Sequence, residues 1–131
     1  MTERAEPSFL SLDQVMELHR RSLEIHGGID GVRDLGAVES ALAAAQNTWF
    51  YAGGDLHDIA AAYAFHVAES QAFLDGNKRT AAASAIVFLA ANDCADCGDD
   101  RVIFEAMLAI ANRQLDKPGL AAILRKQFPK T

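Results

Sequence analysis

The chain is poor in the residues that define several large classes of protein. Only two cysteines and three prolines occur in 131 residues. Two cysteines cannot build a disulfide framework, and a four-cysteine zinc site is out of reach. They stand together as Cys94-Ala-Asp-Cys97, a spacing known from redox pairs and half zinc sites. No second pair completes a metal site, and the local aspartates disfavour a thiolate, so both read as loop residues after a helix. Basic residues are also scarce: 12 Lys and Arg stand against 18 Asp and Glu, a net charge of −6. A nucleic-acid surface would be basic, so no nucleic-acid partner is expected. No apolar run reaches the roughly 18 residues of a membrane span, and Met1 to Pro7 lack the apolar core of a secretory signal. The expectation is a cytoplasmic protein with no membrane partner.

What the chain has in quantity is alanine and helical periodicity. Half of its residues are hydrophobic, enough at this length for one core. Alanine-rich helices approach closely, so the expected fold is a compact all-α bundle forming a single domain over residues 1–131, with residues 1–8 as a flexible tail. Ser11 and Gln14 form a capping box for a helix over residues 12–26, with Val15, Leu18, Ser22 and Ile25 along one stripe. His19, Arg20 and Arg21 fall on its wet face, and Gly27-Gly28 ends it. A helix over 35–45 buries Val38, Ala41, Leu42 and Ala45. Trp49, Phe50 and Tyr51 then form a cluster that is either a plug in the core, the reading preferred, or a wall for a nucleotide or partner.

Asp55 is a good N-cap for an amphipathic helix from Leu56 to Ser70, with Leu56, Ile59, Tyr63 and Val67 on one face. Residues 80–91 are apolar all round except Thr80 and Ser84, which predicts the central buried helix. A helix over 101–112 turns Val102, Ile103, Ala106 and Ile110 inward. Lys117-Pro118-Gly119 reads as a break before a last helix over 120–128, with Leu124 and Phe128 inward.

Between the two most apolar helices lies the densest polar stretch, Phe73-Leu74-Asp75-Gly76-Asn77-Lys78-Arg79-Thr80. A polar loop running into a helix start can hold a phosphate, because the first N–H groups have no intrahelical partner and the helix dipole adds positive potential. Gly76 permits a tight turn, Asn77 can cap, Lys78 and Arg79 supply charge, and Asp75 suits a divalent cation. Ordinary turn chemistry with a solvated Lys-Arg pair fits the same residues equally well. The segment is not a Walker A loop, whose glycine spacing is missing.

The same stretch resembles the core motif of the Fic/Doc family, His-Pro-Phe-x-Asp/Glu-Gly-Asn-x-Arg. Lys78, between Asn77 and Arg79, is similar to the Doc (death-on-curing) branch; Fic proteins carry glycine there and a second arginine beyond. Gly31-Val32-Arg33-Asp34-Leu35-Gly36 with Glu39-Ser40-Ala41-Leu42 resembles an upstream Doc-like segment. Ala60 to His66 and Phe88 to Asn92 resemble the helices flanking the motif, so the likeness runs from about Phe9 to Phe128. It implies a compact helical fold that binds ATP, or another nucleoside triphosphate, with Mg²⁺ and modifies a protein hydroxyl.

For the Doc branch the implied reaction is phosphate transfer to a target such as elongation factor Tu. The protein would be the toxin half of a pair with a small Phd-like antitoxin. Asp75 would hold the metal; Gly76, Asn77, Lys78, Arg79 and Thr80 would hold phosphate; Lys78 and Arg79 would neutralise charge during transfer; Arg33 and Asp34 would belong to a target-facing flap. One departure matters. The family's catalytic histidine position is Gln71, and its proline is Ala72. Glutamine cannot take a proton near neutral pH, and losing a general base typically costs roughly 10²–10⁴ in rate. His66 does not fill the gap and reads as a core histidine. The other readings are a catalytically silent module binding a nucleotide or partner, and an AMP transferase of the Fic kind, which Lys78 disfavours.

Overall fold

The computed structural model describes residues 4–95 and 100–131. Cys97 lies outside them. Among the described residues six helices follow one another: α1 Leu12–His26, α2 Leu35–Phe50, α3 Leu56–Ser70, α4 Asn77–Ala91, α5 Asp100–Ala111 and α6 Lys117–Gln127. The described residues contain no strand, only two isolated bridges, so the fold is all-α as expected.

The centre is held by two helices. α3 packs against α2, α4, α5 and α6, and its run from Ile59 to Ala64 is buried on every side. Alanine makes this possible: Ala60, Ala61, Ala62 and Ala64 let neighbouring backbones approach α3 all round. α4 packs against α1, α3 and α5. The sequence suggested that it is buried on all faces. Instead it buries Thr80, Ala81, Ser84, Ala85, Phe88 and Leu89, and leaves Ala82, Ala83, Ile86 and Val87 half exposed. Ala82, Ala83 and Ile86 face a groove between α1 and α5.

The capping boxes at Ser11 and Asp55 form as the sequence predicts. Other boundaries move. α2 runs on to Phe50, so Trp49 and Phe50 are helical; Phe50 and Tyr51 are exposed and Trp49 half-buried beneath the Arg4 guanidinium. The aromatic cluster is therefore no core plug. α6 starts at Lys117, capped by Asp116, because proline is tolerated in a first helical turn where its missing N–H has no acceptor to lose. Lys117-Pro118-Gly119 is thus the start of a helix, not a break. In α5, Met107 takes the inward place expected of Val102, and on α1 Ile25 is exposed.

Of the segment 1–8 expected as a flexible tail, residues 4–8 are described, and Arg4, Pro7 and Ser8 meet the rest of the fold; the chain just beyond is also tied down. Pro7 is buried, Ser8 and the Asn92 side chain exchange two hydrogen bonds, and the Leu10 N–H donates to the Tyr63 hydroxyl at 2.9 Å. At the other end, buried His57 donates to the Phe128 carbonyl, tying the C-terminus to α3. Cys94 follows α4 as expected and is buried there, and burial pushes its thiol up, which disfavours the thiolate.

Candidate active site

The loop between α3 and α4 is closed on itself by one side chain. The Phe73 N–H donates to Asn77 Oδ1 at 3.0 Å, and Asn77 Nδ2 donates back to the Phe73 carbonyl at 2.9 Å. Asn77 therefore does not cap. The N-cap is Gly76, which has no side chain to offer and adopts φ 79°, a left-handed conformation that favours glycine. The first residue to donate into the helix is Thr80, to the Gly76 carbonyl. The N–H groups of Asn77, Lys78 and Arg79 consequently have no intrahelical acceptor.

A second segment lies along this loop. Val32 and Phe73 form an antiparallel bridge, with the Arg33 and Asp34 N–H groups donating to the Ala72 carbonyl and the Leu74 N–H donating to Gly31. Arg33 and Asp34 thus reach the loop through their backbone, while the Asp34 carboxylate caps α2. Farther up, the Ile29 N–H donates to Asp75 Oδ2 at 3.2 Å, and the Gly76 N–H to Oδ1 at 2.9 Å. These two bonds, and after them the Arg79 charge, hold the Asp75 carboxyl below its usual range and keep it ionised.

His19 completes the scaffold, and the sequence reading placed it wrongly on the wet face of α1. It is 3% exposed, its ring stacks on Phe73 with centroids 3.8 Å apart, and Nε2 lies 2.8 Å from the Asp75 carbonyl. Helical periodicity did carry a signal, since His19 follows Val15 by four residues on the buried stripe.

A cavity of about 670 Å³ opens over the loop. Gln71, Asp75, Gly76, Asn77, Lys78 and Arg79 line it, with Phe104 and Leu108 of α5 on the far side. No salt bridge among the described residues engages Lys78 or Arg79. Thr80 is not in this lining. It is fully buried, and its hydroxyl has no partner. Gln71 sits at the rim as the left-handed C-cap of α3, with Nε2 donating to the Ala68 carbonyl at 3.0 Å. His66, expected in the core, is half-buried, accepts from Lys117 at 3.0 Å and does not line this cavity. Burial and Lys117 push its pKa down, which favours the neutral acceptor.

An adjoining groove of about 490 Å³ is apolar, lined by Leu18, Ile25, Ile86, Phe104, Met107 and Leu108. It shares His26, Lys78 and Arg79 with the loop cavity.

The arrangement suits an anion at the open start of α4, flanked by two cations and an ionised carboxylate. The chain is also similar to known proteins. A family model described as the Fic/DOC family matches residues 9–89. The protein kinase doc of Escherichia phage P1 is 28% identical over 120 residues, covering 91% of this chain and 94% of the relative. The toxin Doc of Mycolicibacterium smegmatis is 40% identical over 105 residues, covering 75% and 78%.

Proposed function

Because the chain belongs to the Fic/DOC family, in its Doc branch, we propose that it transfers phosphate from ATP to a hydroxyl of a protein target, as the toxin of a toxin–antitoxin pair. The observation that carries this reading is the uncapped start of α4, where free N–H groups, Lys78, Arg79 and ionised Asp75 meet in one cavity. The relatives agree in kind: one is named a protein kinase and the other a toxin.

The residues present fit the substrate and its metal. Backbone N–H groups of Asn77 and Lys78 would meet phosphate oxygens, with the Arg79 guanidinium beside them. No cluster of three or more metal-binding side chains exists among the described residues. Mg²⁺ is commonly held by one or two carboxylates plus substrate phosphates, and Asp75 offers one carboxylate in the cavity. Bound beside Asp75, it would offset phosphate charge and polarise the transferred group. Thr80 would act only as packing beneath the loop.

In phosphoryl transfer, positioning and electrostatics supply most of the acceleration. The bond to the γ-phosphorus breaks at the β–γ bridging oxygen and forms at the target hydroxyl oxygen. Lys78 and Arg79 balance the charge that spreads over the moving group. Gln71 orients the hydroxyl through its free Oε1, and the proton passes to a phosphate oxygen or to water. Elongation factor Tu in the cytoplasm is the proposed target. The apolar groove beside Lys78 and Arg79 would receive an amphipathic segment of the antitoxin, closing the loop cavity at their shared wall.

One observation favours a second reading, a catalytically silent binding module: the Gln71 amide is spent on Ala68, and no titratable base occupies its place. Intact-protein mass spectrometry of a bacterial translation extract incubated with the protein, ATP and Mg²⁺ separates the two. A gain of one phosphoryl group on a target supports the transferase, and a gain of one AMP assigns Fic-type transfer. Labelling by Gln71→His alone establishes the silent module. Labelling by neither variant overturns the transferase reading.

A further inference from the structure

We infer that His19 is the positioning residue of the phosphate loop, fixing which way the Asp75–Gly76 peptide faces. This rests on reading the loop as a phosphate site. A carbonyl oxygen can only accept, so the 2.8 Å contact places a proton on Nε2 and makes His19 the donor. In a trans peptide, the carbonyl and the following N–H point in opposite directions. With the Asp75 oxygen held against α1, the Gly76 N–H must face away from α1, where it meets Asp75 Oδ1.

The need for such a lock follows from Gly76 itself. A glycine tolerates both faces of a flipped peptide, so the residue that makes the turn possible also makes it reversible. After a flip, the Asp75 carbonyl would face the carboxylate and cavity side in place of an N–H, and an anion would meet a repulsive oxygen. The Asn77 clamp cannot prevent this, because it holds only Phe73. His19 reaches over from a helix 56 residues earlier and engages both the Phe73 ring and the Asp75 carbonyl.

Ser22 supplies the control. It is also on α1 and also buried, and its Oγ lies 3.7 Å from where a Gly76 Cβ would stand, yet it makes no hydrogen bond. Its loss changes packing without removing a donor.

The test uses the full chain as wild type, His19→Phe, His19→Gln and Ser22→Ala. It records ATP affinity with Mg²⁺, thermal midpoint and the ¹⁵N–¹H resonance of Gly76. His19→Phe keeps a ring on Phe73 but lacks the donor, and should weaken ATP binding about tenfold or more. His19→Gln restores a donor and should recover most of that affinity, even where its midpoint is as low as that of the Phe variant. Ser22→Ala should bind as wild type does. The Gly76 resonance should move in His19→Phe and return towards its original position in His19→Gln.

Wild-type affinity in His19→Phe overturns the inference. So does a His19→Gln variant that loses affinity in step with its loss of stability. If wild type itself binds no ATP, the phosphate reading falls, and an unmoved Gly76 resonance in His19→Phe then overturns the lock independently. Should the Phe variant not fold, His19→Asn, whose shorter amide falls short of the carbonyl, takes its place.

Discussion

The starts of α3 and α4 are built in opposite ways. At α3, Asp55 caps the Asp58 N–H, Asp58 caps back, and Arg125 pairs with Asp55 at 2.9 Å and with Asp58 at 3.3 Å. Acid stands where the helix dipole is positive, and a cation neutralises the acid from α6. α1, α2 and α6 likewise carry side-chain caps. At α4 the cap is a glycine, the first turn has no acid, and Lys78 and Arg79 add positive charge where the dipole is already positive. Each side-chain cap contributes about 1 kcal/mol, so α4 gives up stability that α3 takes. The helix start that serves only the fold is saturated, whereas the one proposed to receive an anion is left open.

The contrast breaks most sharply if charge is removed from the open end. Arg79→Ala should weaken ATP binding with Mg²⁺ by about 10–100-fold, the range for a lost charge-assisted hydrogen bond, while its thermal midpoint stays close to wild type. Titration calorimetry beside thermal melts would show whether binding and stability separate as stated. Gly76→Ala comes next. Its Cβ has room, with the nearest atom of His19 at 3.6 Å, but φ 79° is strained for alanine. A destabilisation of about 1–2 kcal/mol is expected in urea unfolding.

The saturated end should answer in stability alone. Asp55→Ala should cost about 1 kcal/mol and leave ATP affinity unchanged. At Asp55, burial pushes the carboxyl up, but Arg125 and the Asp58 N–H outweigh it and bring the pKa to about 2 from the usual 3.8. Because the folded value is the lower one, this stabilisation is complete above the unfolded pKa. It is lost as pH falls from near 4 towards 2. Thermal melts of wild type should drop over that window more steeply than those of Asp55→Asn. The smallest effect is expected at Cys94→Ser: the thiol is buried and remote from the loop, so ATP affinity should not move.

Much of this was legible from residues alone because it is local. A capping box needs only Ser11 and Gln14, or Asp55 and Asp58, three positions apart, and both formed. Alanine content and periodicity were enough for an all-α bundle. The loop motif from Phe73 to Thr80 could be recognised because its chemistry is contiguous. The errors were at places where a distant partner decides. Asn77 looked like a cap, but its amide clamps Phe73 once the loop folds back. Thr80 looked available to a phosphate, but the helical turn carries its side chain into the core, where its hydroxyl is buried. Phe50 and Tyr51 looked like core, but α2 ends too far out for neighbours to cover them.

The sequence by itself determined the helices, their caps and the polar loop, since each depends on residues within a turn or two of one another. Tertiary structure alone decided that His19 meets the Asp75 carbonyl, that residues 31–34 pair along 72–74, and that α5 closes the cavity with Phe104. Those contacts join positions far apart in the chain. No local propensity encodes them, and only the packing of α1, α4 and α5 brings them within reach.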